Sequence, residues 1–446
     1  MKTPALVWFR LDLRISDNPA LCAAADCGYK VLPLFLWAPE EEEDWSPGAA
    51  SRWWLHQSLK SLNSDLQSRG SGLVLRRGPT LEALKRILSE SGARAVFWNL
   101  RVEPALRARD LRIMKALEAD GILVKTFHSS VLHDPETIRN SKGEPFRVFT
   151  HFWKACTPLE PFCTRSQPSV KWMKDLPESL PLESLGLEPS LDWAGSLRSC
   201  WQPGEAGAQN LLQDFVENGI EGYAESRDYP CIEGTSRLSP HLHFGEISPR
   251  HVAAACAAHR GASSREFLRQ LGWREFAHHL LYHFPHTTSK PLRPQFARFP
   301  WKKNVEGFKR WRQGRTGFPI VDAGMRQLWS TGWVHNRARM IAGSFLVKDL
   351  MLPWQEGARW FWDTLVDADL ANNTLGWQWV AGCGADAAPY FRIFNPDTQA
   401  EKFDPDKTYV RRWIPELGSP LYPAPLVDHR KARERALDAF ASIKSR

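Results

Sequence analysis

Short apolar runs alternate with amphipathic stretches from the start of the chain to about residue 127. Consecutive apolar residues are typical of strands buried in a parallel sheet, whereas apolar residues three and four apart are typical of helices. This pattern predicts strands at residues 5–9, 31–37, 73–75, 95–98 and 122–127. It predicts helices at residues 51–70, 80–91 and 104–121. We therefore expect an α/β domain with a parallel, Rossmann-like sheet at residues 1–130.

The hydrophobic pattern changes in the middle of the chain. Residues 156–204 are rich in proline, serine and leucine and show little periodicity, which is typical of a surface connector. We assign residues 131–204 to an interdomain connector. Helical periodicity dominates afterwards and predicts an all-α domain at residues 205–446. The acidic run at residues 40–44 is predicted to be a solvated loop.

Composition narrows the class of protein. Lys and Arg total 58 against 50 Asp and Glu, and the net charge of +8 is compatible with a polyanionic partner. The eight cysteines form no CxxC pair, which favours a reducing compartment. The start of the chain does not resemble a signal peptide, and no apolar run reaches the roughly 18 residues of a membrane span. We expect a cytoplasmic monomer with no membrane contact.

Common nucleotide and metal motifs are absent from the sequence. There is no GxGxxG and no GxxxxGK[ST], which disfavours dehydrogenases and P-loop enzymes. His279 and His283 have a spacing that can bind zinc, but HExxH is absent and no cysteine is close. Only Cys383 follows Cys256, so a four-cysteine iron–sulfur cluster in the C-terminal half is excluded. We predict no metal site.

The most unusual chemistry lies between residues 301 and 382, where charged and amide side chains are mixed with many tryptophans. Asp367 and Asp369 are costly to desolvate without a cation, and Arg337 and Arg339 are candidate partners. A structural Arg–Asp network is one explanation. A ligand with a large ring system explains the indoles better, because stacking and electron transfer both use aromatic side chains.

A second candidate is the TSRLSP run at residues 235–240. It places hydroxyl groups and an arginine just before a predicted helix start, where backbone N–H groups and the helix dipole favour phosphate. Ordinary helix capping by serine or threonine is the alternative reading of this run.

Three segments carry a resemblance to a known family: GRTGFPIVDAGMRQL from residue 314, GWVHNRARMIAGSFLVKDL from residue 332 and DADLANNTLGWQWVAGCGADAAPYFRIFNP from residue 367. They closely resemble the DNA photolyase and cryptochrome flavoproteins, and most of all the photolyases that repair cyclobutane pyrimidine dimers. The resemblance extends from residue 7 to residue 417. It implies a deoxyribodipyrimidine photo-lyase in which non-covalent, reduced FAD transfers an electron, under light, to a pyrimidine dimer flipped out of damaged DNA.

The resemblance implies roles for individual residues around FAD. Arg339 paired with Asp367 is expected to frame the isoalloxazine edge, and Asp369 is expected to hold nearby polar groups. Asn372 matches the residue opposite N5, where a neutral amide suits the reduced form. The residues expected to embrace the diphosphate and ribityl chain are Tyr223, Thr235, Ser236, Arg237, Leu238 and Ser239. The tryptophans expected to relay electrons from the surface to oxidised FAD are Trp301, Trp354 and Trp377.

The resemblance also implies a DNA-binding side. Gln270 replaces the glutamate common in dimer photolyases; it can still bond a thymine edge, but it also occurs in relatives that repair (6-4) photoproducts. Those relatives place a catalytic histidine where this chain has Asn336, and Asn336 with Met340 matches the dimer-repair pattern. The residues expected to contact the lesion or its phosphates are Arg227, Gln270, Trp273, Arg274, Asn336, Arg337, Met340 and Trp379. Among them, Arg227 and Arg337 match the phosphate contacts of the family, and Trp273 and Trp379 match the aromatic walls of its lesion pocket.

Two alternatives remain open: a cryptochrome-type blue-light receptor and a photolyase for (6-4) photoproducts. Asn372 disfavours the receptor, because cryptochromes commonly carry Asp or Cys at this position, and so does the short tail after residue 417. In the family the α/β domain holds an antenna chromophore, a folate or a deazaflavin. Ala105 and Leu106 replace the Asn–Glu pair of some folate-binding relatives, so the identity of an antenna is left open.

Overall fold

A parallel sheet forms the centre of the N-terminal domain in the computed structural model, which describes residues 3–157, 168–387 and 391–444. Its strands are β1 (Pro4–Phe9), β2 (Lys30–Trp37), β3 (Val74–Arg77), β4 (Ala95–Asn99), β5 (Leu123–Phe127) and β6 (Lys171–Trp172). The order is β3-β2-β1-β4-β5, with β6 also paired to β2, and every pairing is parallel. The α/β fold predicted from the sequence is confirmed.

Helices pack on both faces of this sheet: α1 (Pro19–Asp26), α2 (Ala49–Gln67), α3 (Thr80–Ser91) and α4 (Pro104–Ala119). Alternate residues of a strand point to opposite faces. Val7 of β1 accordingly packs in one core with α1 and α2, and Trp8 packs in another with α3 and α4. Helix α1 is absent from the sequence prediction because its eight residues, PALCAAAD, show no amphipathic period.

The acidic run at residues 40–44 is only in part the solvated loop that the sequence predicts. It forms helical turns over Pro39–Trp45. The carboxylate of Glu41 accepts hydrogen bonds from the backbone N–H of Thr80, at 2.8 Å, and from Arg109, at 3.2 Å. Glu41 therefore packs between α3 and α4, whereas Glu40, Glu43 and Asp44 are exposed to solvent.

The stretch at residues 131–204, predicted to be a connector, has secondary structure of its own in its described part. It contains α5 (Phe149–Cys156), a 3-10 turn at Leu182–Leu185, α6 (Gly195–Cys200) and strand β6 of the sheet. Residues 158–167, which include Cys163, lie outside the described residues. The domain boundaries at residues 130 and 204 stay predictions.

The chain after Gly204 is helical, as the sequence predicts. Its α-helices are α7 (Glu205–Asp214), α8 (Tyr223–Ser226), α9 (Ser239–His243), α10 (Pro249–Ala257), α11 (Ala262–His283), α12 (Val305–Arg312), α13 (Pro319–Thr331), α14 (Asn336–Ser344), α15 (Trp354–Thr364), α16 (Leu370–Ala381), α17 (Pro396–Phe403), α18 (Thr408–Trp413) and α19 (His429–Lys444). Single π-helical turns follow α7 and α14, at Phe215–Gly219 and Phe345–Asp349. Short 3-10 turns occur at Pro285–Thr288 and Pro294–Arg298. Within the described ranges, no helix is both long and apolar enough to cross a membrane.

Buried polar contacts join the two domains. Residues 10–18, the RLDLRISDN run, supply Arg14, whose guanidinium donates to the backbone oxygen of Gly245 at 2.9 Å. From α2, the indole N–H of Trp54 donates to the carboxylate of Glu246 at 3.1 Å, and both side chains are fully buried. Because buried polar groups are costly when left unpaired, these contacts fix the segment that follows α9 against the sheet domain.

Candidate functional site

A cavity of about 570 Å³ lies in the helical domain between α9, α11, α14 and α16. This volume is within the roughly 300–1,000 Å³ that is usual for small-molecule sites. All the residues predicted to hold the cofactor line the cavity: Tyr223, Thr235, Ser236, Arg237, Leu238, Ser239, Arg339, Asp367, Asp369 and Asn372. Segments separated by up to about 150 positions in the chain therefore meet in one space, which has the size of a cofactor site.

The same cavity is lined by most of the residues predicted to contact DNA, namely Gln270, Trp273, Arg274, Asn336, Met340 and Trp379. The other two, Arg227 and Arg337, are not among its lining residues. Arg337 Nη2 lies 2.7 Å from Asp228, and Arg227 Nη1 lies 2.6 Å from Glu266. The two predicted phosphate contacts are thus held by carboxylates of the protein itself.

An ion pair between α14 and the segment before α16 borders the cavity. Arg339 Nη2 is 2.7 Å from Asp367 Oδ2, and Arg339 Nε donates to the backbone oxygen of Val334 at 2.8 Å. The second oxygen of Asp367, Oδ1, is buried and has no hydrogen-bond partner in the protein. A buried carboxylate oxygen beside a cavity is costly when unpaired, so this atom fits a ligand that carries an N–H donor.

Asp369 begins helix α16 and binds several side chains. Its Oδ1 accepts hydrogen bonds from the backbone N–H of Asn372 at 2.8 Å and from the Asn372 amide at 2.6 Å. Its Oδ2 faces His278 at 3.4 Å and His243 at 3.8 Å. Burial raises the pKa of Asp369, but the attraction of His278 and the hydrogen bonds from both histidines hold this pKa well below its usual range.

Two consequences follow for the predicted cofactor contacts. Both oxygens of Asp369 are engaged by the protein, so its predicted direct contact with the cofactor stays a prediction. The amide nitrogen of Asn372 is tied to Asp369, which leaves the amide oxygen of Asn372 free to accept a hydrogen bond. Sequence reasoning missed His243 and His278, because nothing in the sequence indicates that α9 and α11 meet at Asp369.

The TSRLSP run forms a turn that leads into α9. A helix does start here, at Ser239, but α9 has only five residues, so the helix dipole invoked for phosphate binding is weak. The guanidinium of Arg237 instead stacks over Trp201, 4.2 Å from the ring centroid, and its Nε is buried without a partner. The positive charge of Arg237 and the hydroxyl donors of the neighbouring serines and threonine can together bind an anionic group.

The aromatic residues predicted to flank a base are positioned by packing. One face of Trp273 stacks on Phe149 of α5, with ring centroids 3.8 Å apart and planes inclined by 10°. Trp379 of α16 lies 6.4 Å from Phe394, and the guanidinium of Arg392 lies over its ring at 5.5 Å. Both indoles line the cavity and can provide flat apolar walls there.

Arg274 has structural partners in addition to its place in the cavity wall. Its Nη1 donates to the backbone oxygen of Ser130 at 2.6 Å, and its Nη2 donates to that of Leu242 at 3.3 Å. These bonds tie α11 to the end of the sheet domain and to α9. A contact between Arg274 and DNA would compete with these bonds, so its predicted DNA contact stays a prediction.

His279 and His283 hold the segment that precedes α5. Nε2 of His279 lies 3.1 Å from the backbone nitrogen of Phe146 and accepts its hydrogen, and Nε2 of His283 lies 2.9 Å from the backbone oxygen of Pro135. Burial, with repulsion from His283, lowers the pKa of His279 to about 3. In the part of the chain that is described, no group of side chains could hold a metal ion.

The three tryptophans of the predicted relay belong to one apolar cluster. Trp377 lines the cavity, Trp354 is buried, and Trp301 packs on the cluster while remaining partly exposed. A Cβ added to Gly357, one turn after Trp354, would come within 2.1 Å of the Trp377 ring, so α15 and this indole are in close contact. Trp301 lies 4.4 Å from Phe299 between ring centroids. The cluster therefore connects the cavity to a partly exposed indole.

A second cavity, of about 60 Å³, lies where the two domains meet. Its lining includes Trp37, Arg101 and Leu106 of the sheet domain and Trp362 of α15. Burial raises the pKa of Glu42, which also lines it, to about 7. This volume is far below the roughly 300 Å³ of typical ligand sites, so a folate or deazaflavin would require side-chain movement there. The identity of an antenna is not decided by this cavity.

Comparison with known proteins agrees with these observations. Residues 5–169 match the family model described as DNA photolyase, and residues 267–421 match the model described as the FAD binding domain of DNA photolyase. A deoxyribodipyrimidine photo-lyase of Agrobacterium fabrum is 44% identical, over 99% of this chain and 98% of its own length. Cryptochrome-2 of Arabidopsis thaliana is 41% identical, over 94% of this chain and 71% of its own length. The crystal structure of a class III photolyase from Agrobacterium tumefaciens superposes with a TM-score of 0.95 at 44% identity, covering 100% of this chain and 99% of that one.

Proposed function

This chain belongs to the DNA photolyase family, and we propose that it is a light-driven lyase that splits cyclobutane pyrimidine dimers in DNA, with FAD held in the 570 Å³ cavity. One observation carries the proposal. Residues expected to hold FAD and residues expected to hold the dimer line a single cavity, so donor and substrate would be neighbours. Electron transfer between them then needs no further carrier.

The reaction itself explains why a cofactor is needed. A cyclobutane ring between two pyrimidines has no acidic proton and no good leaving group, so general acid–base catalysis has little to act on. Bound, fully reduced FAD supplies one electron when it absorbs blue light and regains that electron after the ring has opened. The protein has to hold both partners, exclude water and keep competing electron acceptors away.

The residues on the cofactor side fit FAD. The unpartnered Oδ1 of Asp367 offers an acceptor to an N–H donor of the ring system, and Arg339 supplies the balancing positive charge. Asn372 presents a neutral amide oxygen, because its nitrogen is bonded to Asp369. Gly376 lies on the cavity wall, and a Cβ added to it would have no atom of the protein within 4 Å. The protein therefore leaves open space beside Gly376 for the planar ring system of FAD.

On the DNA side, a flipped dimer would lie between Trp273 and Trp379, whose rings provide the apolar walls that extruded bases require. Asn336 and Met340 sit on the same wall, with the amide nitrogen of Asn336 3.7 Å from the Met340 sulfur. Neither can donate and accept protons in the manner of a catalytic histidine. This pair therefore favours the cyclobutane dimer over the (6-4) photoproduct as the substrate.

The photoreceptor alternative is the less favoured one. The similarity to Cryptochrome-2 covers 71% of that protein, whereas the similarity to the Agrobacterium fabrum photo-lyase covers 98%. Asn372 in place of an acidic residue also supports repair over signalling, and so do the six of the eight predicted lesion-contact residues that line the cavity. We further propose that the protein acts as a monomer, since one chain lines the whole cavity, and in the cytoplasm, since its substrate is DNA.

Light-dependent repair of two lesions tests the proposed function. Reduced, FAD-loaded protein is mixed with oligonucleotides that carry either one cyclobutane thymine dimer or one (6-4) photoproduct, and the products are separated by chromatography. We expect restoration of the dimer oligonucleotide under blue light and none in darkness. Repair of the (6-4) oligonucleotide alone would overturn the substrate assignment, and repair of neither would favour the photoreceptor.

A further inference from the structure

One carboxylate on α11 contacts two residues that the proposed function assigns to DNA. Oε1 of Glu266 accepts a hydrogen bond from the amide nitrogen of Gln270 at 2.9 Å. The same oxygen accepts from Nη1 of Arg227 at 2.6 Å. Arg269 Nη1 lies 3.7 Å from the other oxygen of Glu266. A base contact and a phosphate contact thus share a single acceptor atom.

The contact with Gln270 determines which end of that amide faces the cavity. Glu266 and Gln270 are four residues apart on α11 and therefore lie on the same side of the helix. Because the amide nitrogen is bonded to Glu266, the amide oxygen is the end available to the cavity that Gln270 lines. A thymine carries an imide N–H, which needs an acceptor. An amide held in this orientation already directs its oxygen to the cavity, so the side chain need not rotate when the lesion binds.

The contact with Arg227 has a different effect. A phosphate that approaches Arg227 meets a guanidinium already paired with Glu266 and close to Asp228, whose carboxylate lies 3.9 Å from Arg227 Nε. The carboxylates lower the positive potential that any DNA backbone experiences at this point, whatever its sequence. Through Arg227, Glu266 therefore weakens backbone binding to undamaged and damaged DNA alike, whereas through Gln270 it favours recognition of the lesion.

We propose that Glu266 is a positioning residue for lesion recognition, which holds Gln270 as a hydrogen-bond acceptor toward the dimer and restrains Arg227 from binding undamaged DNA. The inference rests on the proposed function, since it requires a dimer in the cavity. Glu266 itself is not among the residues that line the cavity. Through Gln270 it raises the ratio of the affinities for damaged and undamaged DNA, and through Arg227 it lowers both affinities.

The two roles can be separated by two substitutions. Glu266→Gln keeps an oxygen acceptor but removes the charge, so affinity for undamaged duplex rises about two- to threefold and the preference for dimer DNA changes little. Glu266→Ala removes the acceptor as well. The Gln270 amide is then free to rotate, and the preference for dimer DNA falls about tenfold, which corresponds to about 1.4 kcal/mol. Both affinities are measured in darkness by fluorescence anisotropy of labelled duplexes, at several salt concentrations.

A compensating variant gives the sharpest control. Glu266→Ala combined with Gln270→Glu places a carboxylate at position 270, and both oxygens of a carboxylate accept hydrogen bonds, so no orienting partner is needed. This double variant regains the preference for dimer DNA that Glu266→Ala loses. Glu221→Gln, at an exposed position, controls for the loss of one negative charge. The bound FAD per chain, measured by absorbance, shows that each variant is folded.

The outcomes distinguish this inference from the proposed function. If the unsubstituted protein prefers dimer DNA and Glu266→Ala keeps that preference, the role of Glu266 is wrong and the proposed function stands. The same holds if the double variant does not recover the preference. If the unsubstituted protein shows no preference for dimer DNA, the substrate assignment fails, and the role of Glu266 fails with it.

Discussion

The backbone and side-chain nitrogens of Asn372 both donate to Oδ1 of Asp369, at 2.8 Å and 2.6 Å. The first bond caps helix α16, and the second fixes the orientation of the Asn372 amide, so that its oxygen is left free on the cavity side. His278 and His243 stabilise the ionised carboxylate from its other side. A helix start and a predicted cofactor contact are therefore determined by one buried charge, which makes Asp369 a positioning residue for Asn372.

Asp369→Ala should reduce both stability and FAD retention. The variant loses an N-cap, which usually costs about 0.5–2 kcal/mol, and it leaves the Asn372 amide without its partner. Asn395→Ala is the matched control, because Asn395 caps α17 through the backbone N–H of Asp397 at 2.9 Å and does not line the cavity. Thermal unfolding and absorbance of purified protein measure both effects. Equal FAD content in the two variants would contradict the role given to Asp369.

Trp301→Phe should slow light-driven reduction of bound, oxidised FAD by at least about tenfold, because phenylalanine is much harder to oxidise than tryptophan. Repair by protein reduced chemically beforehand should be unchanged, because the relay is not needed once FAD is reduced. Trp193→Phe, at an indole 43% exposed in the connector, is the control. Absorbance under continuous illumination follows the reduction. Equal loss of photoreduction and repair in Trp301→Phe would refute the relay.

Arg337→Ala should weaken binding to damaged and undamaged DNA by a similar factor. A phosphate contact carries no sequence information. The plot of log affinity against log salt concentration has a negative slope, and loss of one contact should make it less steep by about 0.9. In the free protein Arg337 pairs with Asp228 and stacks over Phe403, 4.1 Å from the ring centroid. If these contacts are its whole role, the variant will unfold at lower temperature while the salt slope stays unchanged. The exposed residue Lys142 provides the control substitution, Lys142→Ala.

The pH dependence of stability should report on His279. Burial lowers the pKa of His279 from 6.5 to about 3. Between these values the unfolded chain binds a proton that the folded chain does not, so stability decreases as pH falls through this window, by up to about 1.4 kcal/mol per pH unit. In His279→Gln the side-chain oxygen can still accept from Phe146, and this part of the dependence should disappear. Denaturant unfolding at pH 6.5 and pH 5 measures the difference. Identical pH dependence in both proteins would contradict the assignment.

Sequence patterns predicted the elements of this fold better than the contacts between them. Short apolar runs predicted β1 to β5, because buried parallel strands are marked by uninterrupted apolar residues. The boundaries of these strands differ from the prediction by one or two residues. Helix α1 was not predicted because its own apolar residues occupy every side of the helix, so the sequence shows no amphipathic period. The packing of Glu41, within the acidic run at residues 40–44, was not predicted because its partners, Thr80 and Arg109, are distant in the chain.

The same limit applies to the site. The segments that line the cavity and the pairing of Arg339 with Asp367 could be named from the resemblance, whereas charge alone offered both Arg337 and Arg339 as partners. Other pairs formed across elements could not be predicted. Glu266 with Arg227 joins positions 39 residues apart, and His278 with Asp369 joins α11 to α16. Periodicity describes one helix at a time, so it carries no information on which helices meet.

The most direct measurement of the central claim is the number of dimers repaired per bound FAD under blue light, with no added reductant during the reaction. If the electron returns after each ring opening, one reduced FAD should repair many dimers, and its absorbance should remain that of the reduced form. Repair that stops after one dimer per FAD, with matching oxidation of FAD, would contradict the account, as would a complete lack of repair in light.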